Sequence, residues 1–379
     1  MAVNNEIPCD LHPVILERLP SQSLINFLTV DKSWYSLITN PKFIASHLHH
    51  HKSLSLHRPN HPLLLRKGYS KYDLFRYGNP SSRRTVIPNP PKGFDTVAAT
   101  CDGVVCMSDS THQNLLLWNP SMYKTRKIKP SPVLHNSKSV AVAGLGYNSL
   151  GNNYKLVLIN YEEMNVWTPP EILHSAHVYS FNGGGGGGEG SPDWKRVSLP
   201  DTFPFNNNLT RISESCFVND MIHWIVFRGR VDPMNNDGMG FEEVDSSILT
   251  FDPKHDCFGE IKLPRELAEA VSPELHLAVI GESIVVVHIY KDRAAIWRME
   301  EYGVQESWKV LYRIKLSSVT NKQVWAKEDG KVYIITSSGK LIVLFNVNKS
   351  SGSSGVFVGA VGMIGGKVFG CTESLVMFR

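Results

Sequence analysis

The sequence lacks the features that assign a chain to a membrane or to an oxidising compartment. No run approaches the roughly 18 apolar residues that span a bilayer, and the opening residues, MAVNNEIPCD, hold no basic region followed by an apolar stretch. The six cysteines are scattered without C-x-x-C spacing. Because such thiols are typical of reducing compartments, we expect a protein of the cytoplasm or the nucleus with no membrane partner.

Charge of one sign is also scarce. A net charge of +4 over 379 residues is too small to indicate a nucleic-acid partner. The distribution is uneven, however, because ten Lys and Arg between Asn40 and Lys92 accompany the single acid Asp73, which leaves the rest of the chain at −5. We interpret residues 47–92 as a solvated basic connector, and a landing site for an acidic partner is the alternative.

No motif of a catalytic, metal or cofactor site is present. The glycine run 183–188 is not followed by Gly-Lys-Ser or Gly-Lys-Thr, and the acids Glu300 and Glu301 are adjacent instead of facing each other. The motif HLHHH holds four histidines that lie side by side at a helix end, not at converging positions. They are His47, His49, His50 and His51. We therefore expect no cofactor, no metal and no covalent chemistry from this chain.

The first forty-odd residues show helical periodicity. Apolar residues recur with the spacing of an amphipathic helix that Asp10 caps and Pro20 ends. They are Ile7, Leu11, Val14, Ile15 and Leu19. A second helix follows Ser21, and a third begins at Asp31 and ends before Pro41. Three short helices cannot bury all these side chains among themselves, so a partner or a second domain must cover the remainder.

This segment resembles an F-box. The stretch IPCDLHPVILERLPSQSLINFLTVDKSWYSLITNPKFIASHL matches the usual F-box pattern at many fixed positions, including the Leu-Pro-x-x-Ser-Leu turn. The resemblance implies a three-helix module over residues 1–46 that docks on the Skp-type adaptor of a cullin–RING ubiquitin ligase. Seven residues are expected on the adaptor face, and three others are expected to hold the helices together. The adaptor-binding residues are Pro8, Leu11, Ile15, Leu16, Leu19, Pro20 and Leu24, and the core residues are Val30, Trp34 and Leu37. For any single aliphatic, packing within the chain's own core is the alternative.

Beyond Lys92 the sequence predicts hairpins. Short runs of Val, Ile, Leu and aromatic residues alternate with two-residue turn signals. The predicted turns are Asp102-Gly103, Asn152-Asn153, Asn219-Asp220, Gly281-Glu282, Asp329-Gly330 and Gly365-Gly366. Recurrence near fifty residues, with two hairpins per unit, is typical of a four-stranded propeller blade. We predict a mainly β protein with an irregular propeller-like domain of five to six blades over residues 93–379, and a β-sandwich or barrel is the alternative.

The β-rich units are similar to the F-box-associated, kelch-like region of a large plant family. The similarity rests on LLLWNPSMYKTRKI, GLGYNSLGNNYKLVLI, VNDMIHWI, ILTFDPKHDCFGEIKLP and the closing TESLVMF. It implies a domain that binds a target protein, and members of the family recognise S-RNases or regulate immune receptors. Trp118, Trp224, Trp297 and Trp308 lie in predicted strands and are expected to pack in the core.

We therefore expect a substrate-recognition subunit of an SCF-type ubiquitin ligase, joined through the adaptor to cullin and RING subunits. Loops at 201–209 and 229–245 are the predicted target contacts. Two alternatives are a propeller that senses a small ligand and a propeller-type hydrolase or oxidase. The second would need clustered acids or metal ligands at the ring centre, which the strand ends do not offer.

Overall fold

A computed structural model describes most of the chain. The described residues are 7–57, 62–67, 71–76, 85–86, 89–109, 114–130, 139–162, 175–182, 193–200, 209–231, 241–270, 275–280, 282–290, 293–315, 323–326, 332–335, 341–344, 368–370, 372 and 374–376.

Helices occupy the start of the described chain. After a 3-10 turn over Cys9–Leu11 come α1 (His12–Leu16), α2 (Ser21–Phe27), α3 (Lys32–Ile38) and α4 (Pro41–His57). Asp31 caps α3, since its carboxylate accepts the Ser33 N–H at 2.5 Å. Contrary to the prediction, Asp10 does not cap α1. It lies inside the 3-10 turn, and Leu11 takes the cap position. The module thus has a fourth helix, which runs past the boundary predicted at residue 46.

Antiparallel strands follow in six sheets within the described part of the chain. The strands of the first sheet are β1 (Pro62–Lys67), β2 (Lys71–Arg76) and β3 (Thr85–Val86). The second sheet holds β4 (Thr96–Cys101), β5 (Val104–Ser108), β6 (Leu115–Asn119) and β7 (Lys124–Lys127). The third holds β8 (Ser139–Asn148), β9 (Asn153–Glu162), β10 (Ser175–Phe181) and β11 (Trp194–Val197). The second and third sheets are therefore local units of consecutive strands.

The remaining sheets follow the same plan. The fourth holds β12 (Leu209–Ile212), β13 (Cys216–Val218), β14 (Met221–Val231), β15 (Phe241–Asp252) and β16 (Cys257–Lys262), and the short helix α5 (Arg265–Ala268) comes after it. The fifth holds β17 (Leu275–Ile280), β18 (Ser283–Tyr290), β19 (Arg293–Met299) and β20 (Trp308–Lys315). The sixth holds β21 (Gln323–Ala326), β22 (Val332–Ile335) and β23 (Leu341–Leu344), and β24 (Val368–Gly370) is the last described strand. This mainly β, propeller-like architecture confirms the predicted fold class.

The two ends of the strand series meet in the first sheet. Strand β24 pairs with β1, so that Leu63 lies opposite Gly370 and Leu65 opposite Val368. The order β24-β1-β2-β3 closes a ring, because a late strand completes a sheet whose other members come early in the chain. This differs from the interpretation of residues 47–92 as a solvated connector, since the described part of that segment supplies the end of α4 and three strands.

The tight turns follow from residues that tolerate positive φ. Asp102 and Gly103 have φ values of 52° and 76°, and Asn219 and Asp220 have values of 51° and 58°. Because both residues of each loop are left-handed, these turns match the twist of their hairpins, as predicted. Ile280 pairs with Ser283, so β17 and β18 form a hairpin on either side of the predicted Gly281-Glu282 turn, in which Gly281 lies outside the described residues.

One predicted turn is displaced and two are not tested. Asn148 pairs with Asn153, so the third-sheet loop spans residues 149–152 and not the predicted Asn152-Asn153. The predicted turns at Asp329-Gly330 and Gly365-Gly366 lie outside the described residues.

Neighbouring sheets pack closely at their inner strands. A Cβ built at Gly144 of β8 would lie 2.1 Å from Cζ2 of Trp224, a side chain of β14. Only glycine therefore lets the third and fourth sheets approach to this distance. The four predicted core tryptophans are confirmed, because Trp118, Trp224, Trp297 and Trp308 are all buried.

Candidate functional site: the opening helices and the surface they present

Exposed apolar side chains are concentrated on the opening helices. Among the described residues, ten large hydrophobic side chains are exposed, and six of these lie between residues 7 and 35. Four of them lie close together in the sequence, from just before the 3-10 turn into α1, and are 43–53% exposed. We call this set the front patch: Ile7, Leu11, Val14 and Ile15. An apolar surface of this kind on a short helix is typical of a protein–protein interface.

The structure divides the seven predicted adaptor-binding residues between the surface and the interior. Pro8, Leu11, Ile15 and Pro20 are exposed, and Leu19 is half-buried. Leu16 and Leu24, by contrast, are 3% and 0% exposed. Both belong to a core that includes Leu117 of β6 and Leu156 of β9, so the prediction that these two leucines lie on an open face is wrong. The physical reason is that the second and third sheets cover that side of α1 and α2.

The three predicted core residues of the helices also differ in how far they are buried. Trp34 and Leu37 pack against the core that the helices share with the sheets. The Trp34 ring meets the ring of Phe27 edge-on, with centroids 4.9 Å apart. Val30 is 65% exposed in the turn between α2 and α3, so its assignment to the helical core is wrong.

The sequence predictions omitted some of the buried core residues and some of the exposed apolar residues of the opening helices. Ile38, Phe43 and Ile44 are buried with Leu16 and Leu24 although only helical spacing marks the first of them. Ile7 and Val14 lie on the predicted helical stripe but not among the predicted adaptor-binding residues, and the structure leaves both exposed. Spacing alone identifies the stripe, and the position of the β domain decides which part of it stays open.

Helix α4 holds the end of α1 in place. The Nε2 atoms of His47 and His51 lie 3.0 Å and 3.2 Å from the carbonyl oxygen of Leu19. Ser46 Oγ donates a hydrogen bond to Glu17 Oε1 at 2.7 Å. Two histidines of the HLHHH motif thus lie at hydrogen-bonding distance from a carbonyl in the segment that joins α1 to α2.

The helices are also bonded to the turns of the β domain. Lys52 Nζ of α4 lies 2.5 Å from Asp102 Oδ1 in the β4–β5 turn. Tyr154 donates a hydrogen bond to Asp102 Oδ2 at 3.3 Å, and Tyr123 donates one to Gln22 Oε1 at 2.7 Å. Burial, followed by the charge of Asp102, raises the pKa of Tyr154 well above its usual value, which keeps its hydroxyl protonated as a donor. These bonds fix the orientation of the front patch relative to the sheets.

The helices cover one face of the ring. Lys155, the residue after Tyr154, forms an ion pair with Asp256 in the β15–β16 turn. In the same sheet Lys254 pairs with Asp220 at 2.7 Å, which places the β13–β14 turn beside it. The contacts lead from Asp102 through the neighbours Tyr154 and Lys155 to the β15–β16 turn and then to the β13–β14 turn. These turns therefore lie on the face of the ring that carries the helices.

The predicted target-contact loops are flanked by ends of β12, β14 and β15 that lie far from the β13–β14 turn. Residues 201–208 and 232–240 lie outside the described residues, but Leu209, Val231 and Phe241, which flank them, are described. Leu209 pairs with Gly229 near the end of β14, about ten residues from the β13–β14 turn at its start. At roughly 3.3 Å per residue, these strand ends are on the face opposite the helices.

A buried histidine of the fourth sheet contacts a tyrosine that follows β19. His223 is fully buried, and its Nε2 lies 2.8 Å from the Tyr302 hydroxyl. Burial lowers the pKa of His223 to about 4 and raises that of Tyr302 to about 12, so both are neutral and join the fourth sheet to the residues after β19. Among the described residues, no three His, Cys, Asp or Glu side chains converge to hold a metal ion.

The centre of the ring is narrow where the inner strands of the second and fourth sheets meet. Strands β4 and β13, from sheets that are two apart in the ring, contact each other, so the inner strands leave little room for a small ligand in that sector. No described helix combines the length and the apolar character needed to cross a membrane.

Comparison with known proteins identifies relatives over nearly the whole chain. The F-box associated beta propeller domain matches residues 80–371. The Arabidopsis thaliana F-box protein At4g22390 is 24% identical over 369 residues, which covers 91% of this chain and 85% of the relative. The F-box protein CPR1 of the same plant is 24% identical over 361 residues, covering 89% and 81%.

Solved structures show only a distant similarity. The chain aligns with a component of the nidogen/laminin complex at a TM-score of 0.41 and 13% identity, covering 75% of this chain and 89% of the other. It aligns with Kluyveromyces lactis Hsv2 at a TM-score of 0.35 and 9% identity, with the same coverage. Both scores are below 0.5, and the architecture described above rests on the sheet order.

Proposed function

Because this chain belongs to the family of proteins with an F-box associated beta propeller domain, we propose that it is the substrate-recognition subunit of an SCF-type ubiquitin ligase. The front patch binds a Skp-type adaptor, which links the chain to cullin and RING subunits. The β domain binds the target protein. The observation that carries this proposal is the exposure of Ile7, Leu11, Val14 and Ile15 on helices that are otherwise bonded firmly to the sheets.

The front patch is suited to this role on energetic grounds. Burying a fully exposed Leu, Ile or Val contributes about 1.5–3 kcal/mol, and these four side chains are already about half covered. The remaining gain is therefore roughly 1 kcal/mol for each residue, which is sufficient when several such anchors lie at the centre of an interface. Pro8 and Pro20 are exposed beside the patch and add apolar area.

The division of faces supports the proposed arrangement. The helices lie on the face that carries Asp102, and the ends of β14 and β15 that flank residues 232–240 lie on the opposite face. An adaptor on one side leaves the other side open to a target. The chain does no covalent chemistry in this scheme, because it holds target lysines near a ubiquitin-charged enzyme and so raises their effective concentration.

The test is co-purification of the full-length chain with a Skp-type adaptor. Leu11→Asp with Ile15→Asp places two charges in the front patch and should abolish adaptor binding while the protein stays folded. The matched control is Leu150→Asp with Tyr290→Asp, which changes two exposed side chains outside the patch. Wild-type adaptor recovery with the Leu11/Ile15 variant would contradict the proposal, and so would equal losses in both variants.

A further inference from the structure

The outermost strands of the second and third sheets form one continuous basic surface. Strand β7 ends the second sheet, and β11 ends the third. The indole Nε1 of Trp194 donates a hydrogen bond to the carbonyl oxygen of Lys129 at 2.9 Å, which connects the start of β11 to the residues just after β7. We call residues 124–129 and 193–197 the basic edge.

The net positive charge of the basic edge is larger than the net charge of the whole protein. It holds six cations and the single acid Asp193, so its net charge is +5, compared with +4 for the entire chain. The cations are Lys124, Arg126, Lys127, Lys129, Lys195 and Arg196. All but Arg126 are exposed, and Arg126 is half-buried. Lys195 forms an ion pair with Asp256 at 3.1 Å, which offsets one of these charges and leaves the edge strongly basic.

Acidic residues accompany the cations on two other outermost strands, β16 and β20. On β20, Lys309 forms an ion pair with Glu300, and Arg313 forms one with Glu266 at 3.4 Å. On β16, Lys262 shares the strand with Glu260. Lysine on an edge strand often prevents aggregation. The excess of positive charge at the basic edge is larger than that on β16 or β20.

The edge also offers backbone groups. Among the described strands, β7 and β11 are each the last member of their sheets, so one side of each strand faces away from the rest of the sheet. An extended peptide can pair with such a side, and acidic side chains on it would meet the lysines. A nucleic acid is a poorer match, because the edge presents no fully exposed aromatic ring on which bases could stack.

We propose that the basic edge binds an acidic, extended segment of the target protein. The assignment of the partner as the target rests on the function proposed above, whereas the charge and the open strands are properties of the surface itself. The edge lies at the outer rim of the ring, next to Tyr123, whose hydroxyl bonds to Gln22 of the opening helices. A segment bound there would be held close to the adaptor.

Fluorescence anisotropy with the full-length chain tests the proposal. The probe is a fluorescein-labelled peptide of alternating Glu and Ser, and the comparison peptide has Gln at every Glu position. We expect saturable binding of the Glu peptide only, weakening as salt is raised to about 0.15 M. Lys127→Glu with Lys129→Glu should weaken binding about tenfold or more, and Arg196→Glu should also weaken it.

The matched control is Lys92→Glu with Lys262→Glu, which reverses two exposed charges away from the basic edge and should change affinity less than about twofold. Absence of saturable binding by the Glu peptide would overturn the proposal, as would an equal loss in the control. Tighter binding of an oligouridylate of equal charge would overturn it in favour of nucleic acid. The Lys127/Lys129 variant should still co-purify with the adaptor, so failure of this proposal is distinguishable from failure of the proposed function.

Discussion

Lys52 and Asp102 join the helical module to the β domain, with the ammonium nitrogen 2.5 Å from the carboxylate. Asp102 is almost fully buried and lies at a left-handed position of the β4–β5 turn, where Asn is also tolerated. One aspartate therefore serves as turn residue, ion-pair partner and acceptor for Tyr154. The orientation of the front patch depends on this contact because α4 connects the helices directly to the second sheet.

Lys52→Met should destabilise the protein by about 1–2 kcal/mol. The substitution leaves a buried carboxylate without its cation, but the cost is moderated because the Lys52 side chain is 39% exposed. Asp102→Asn keeps the turn conformation and removes the charge. Urea unfolding of both single variants and of the double variant measures the coupling energy. A coupling energy of zero would mean that the ion pair contributes nothing to the attachment of α4.

Leu24→Ala should cost far more stability than Leu11→Ala. Leu24 is fully buried between α2 and the sheets, so truncation removes buried methyl groups and leaves a cavity, at about 2–5 kcal/mol. Leu11 is about half exposed on the front patch, and its truncation should cost about 1 kcal/mol or less. Urea unfolding of the isolated chain distinguishes the two. Equal losses would show that Leu11 is part of the folded core.

Gly144→Ala should destabilise the contact between the third and fourth sheets. The added methyl would lie 2.1 Å from Cζ2 of the buried Trp224, so the sheets must separate, at a cost of about 1–3 kcal/mol. Gly259→Ala is the control, since its methyl would meet only the hydroxyl of Thr250, at 2.8 Å. Thermal unfolding should give the lower midpoint for Gly144→Ala. The reverse order would contradict the close approach of the inner strands.

Lowering the pH should reduce the free energy of unfolding because His223 is buried in its neutral form. Its pKa falls from 6.5 in the unfolded chain to about 4 in the buried site, so between these values the unfolded state binds a proton that the folded state does not. Stability from this residue is therefore complete above pH 6.5 and is lost as the pH falls towards 4, by up to about 3 kcal/mol.

The pH dependence can be isolated by substitution. The stability difference between wild type and His223→Gln, measured by urea unfolding, should be constant above pH 6.5 and should change below it. Tyr302→Phe removes the hydroxyl contact but keeps the burial, so this variant should retain the wild-type pH dependence. A difference independent of pH would show that His223 protonates equally in both states.

Turn chemistry and hydrophobic content made much of the β domain predictable. Asp102-Gly103 and Asn219-Asp220 mark their hairpins because few other pairs accept positive φ at both positions. Trp118 and Trp224 could be assigned to the core because large aromatic side chains in strands are usually buried. Both features depend on residues that are close together in the chain, so a single sequence is sufficient to predict them.

The errors concern contacts between distant parts of the chain. Strands β1 to β3 lie in a basic stretch that reads as a connector, and β1 pairs with β24, some three hundred residues later. Leu16 and Ile15 are adjacent and chemically similar, yet one is buried by the sheets and the other is exposed. Helical spacing predicts that a face is apolar, whereas the docking of the β domain decides which leucines it covers.

The pairing of β24 with β1 has a consequence for synthesis of the protein. On the ribosome, the first sheet waits with one side unpaired until residue 370 emerges, because its missing strand is made last. A chain that terminates shortly before this point would keep every other described strand but would form an open arc with an exposed edge. Ring closure of this protein therefore depends on three residues made hundreds of positions after their partners.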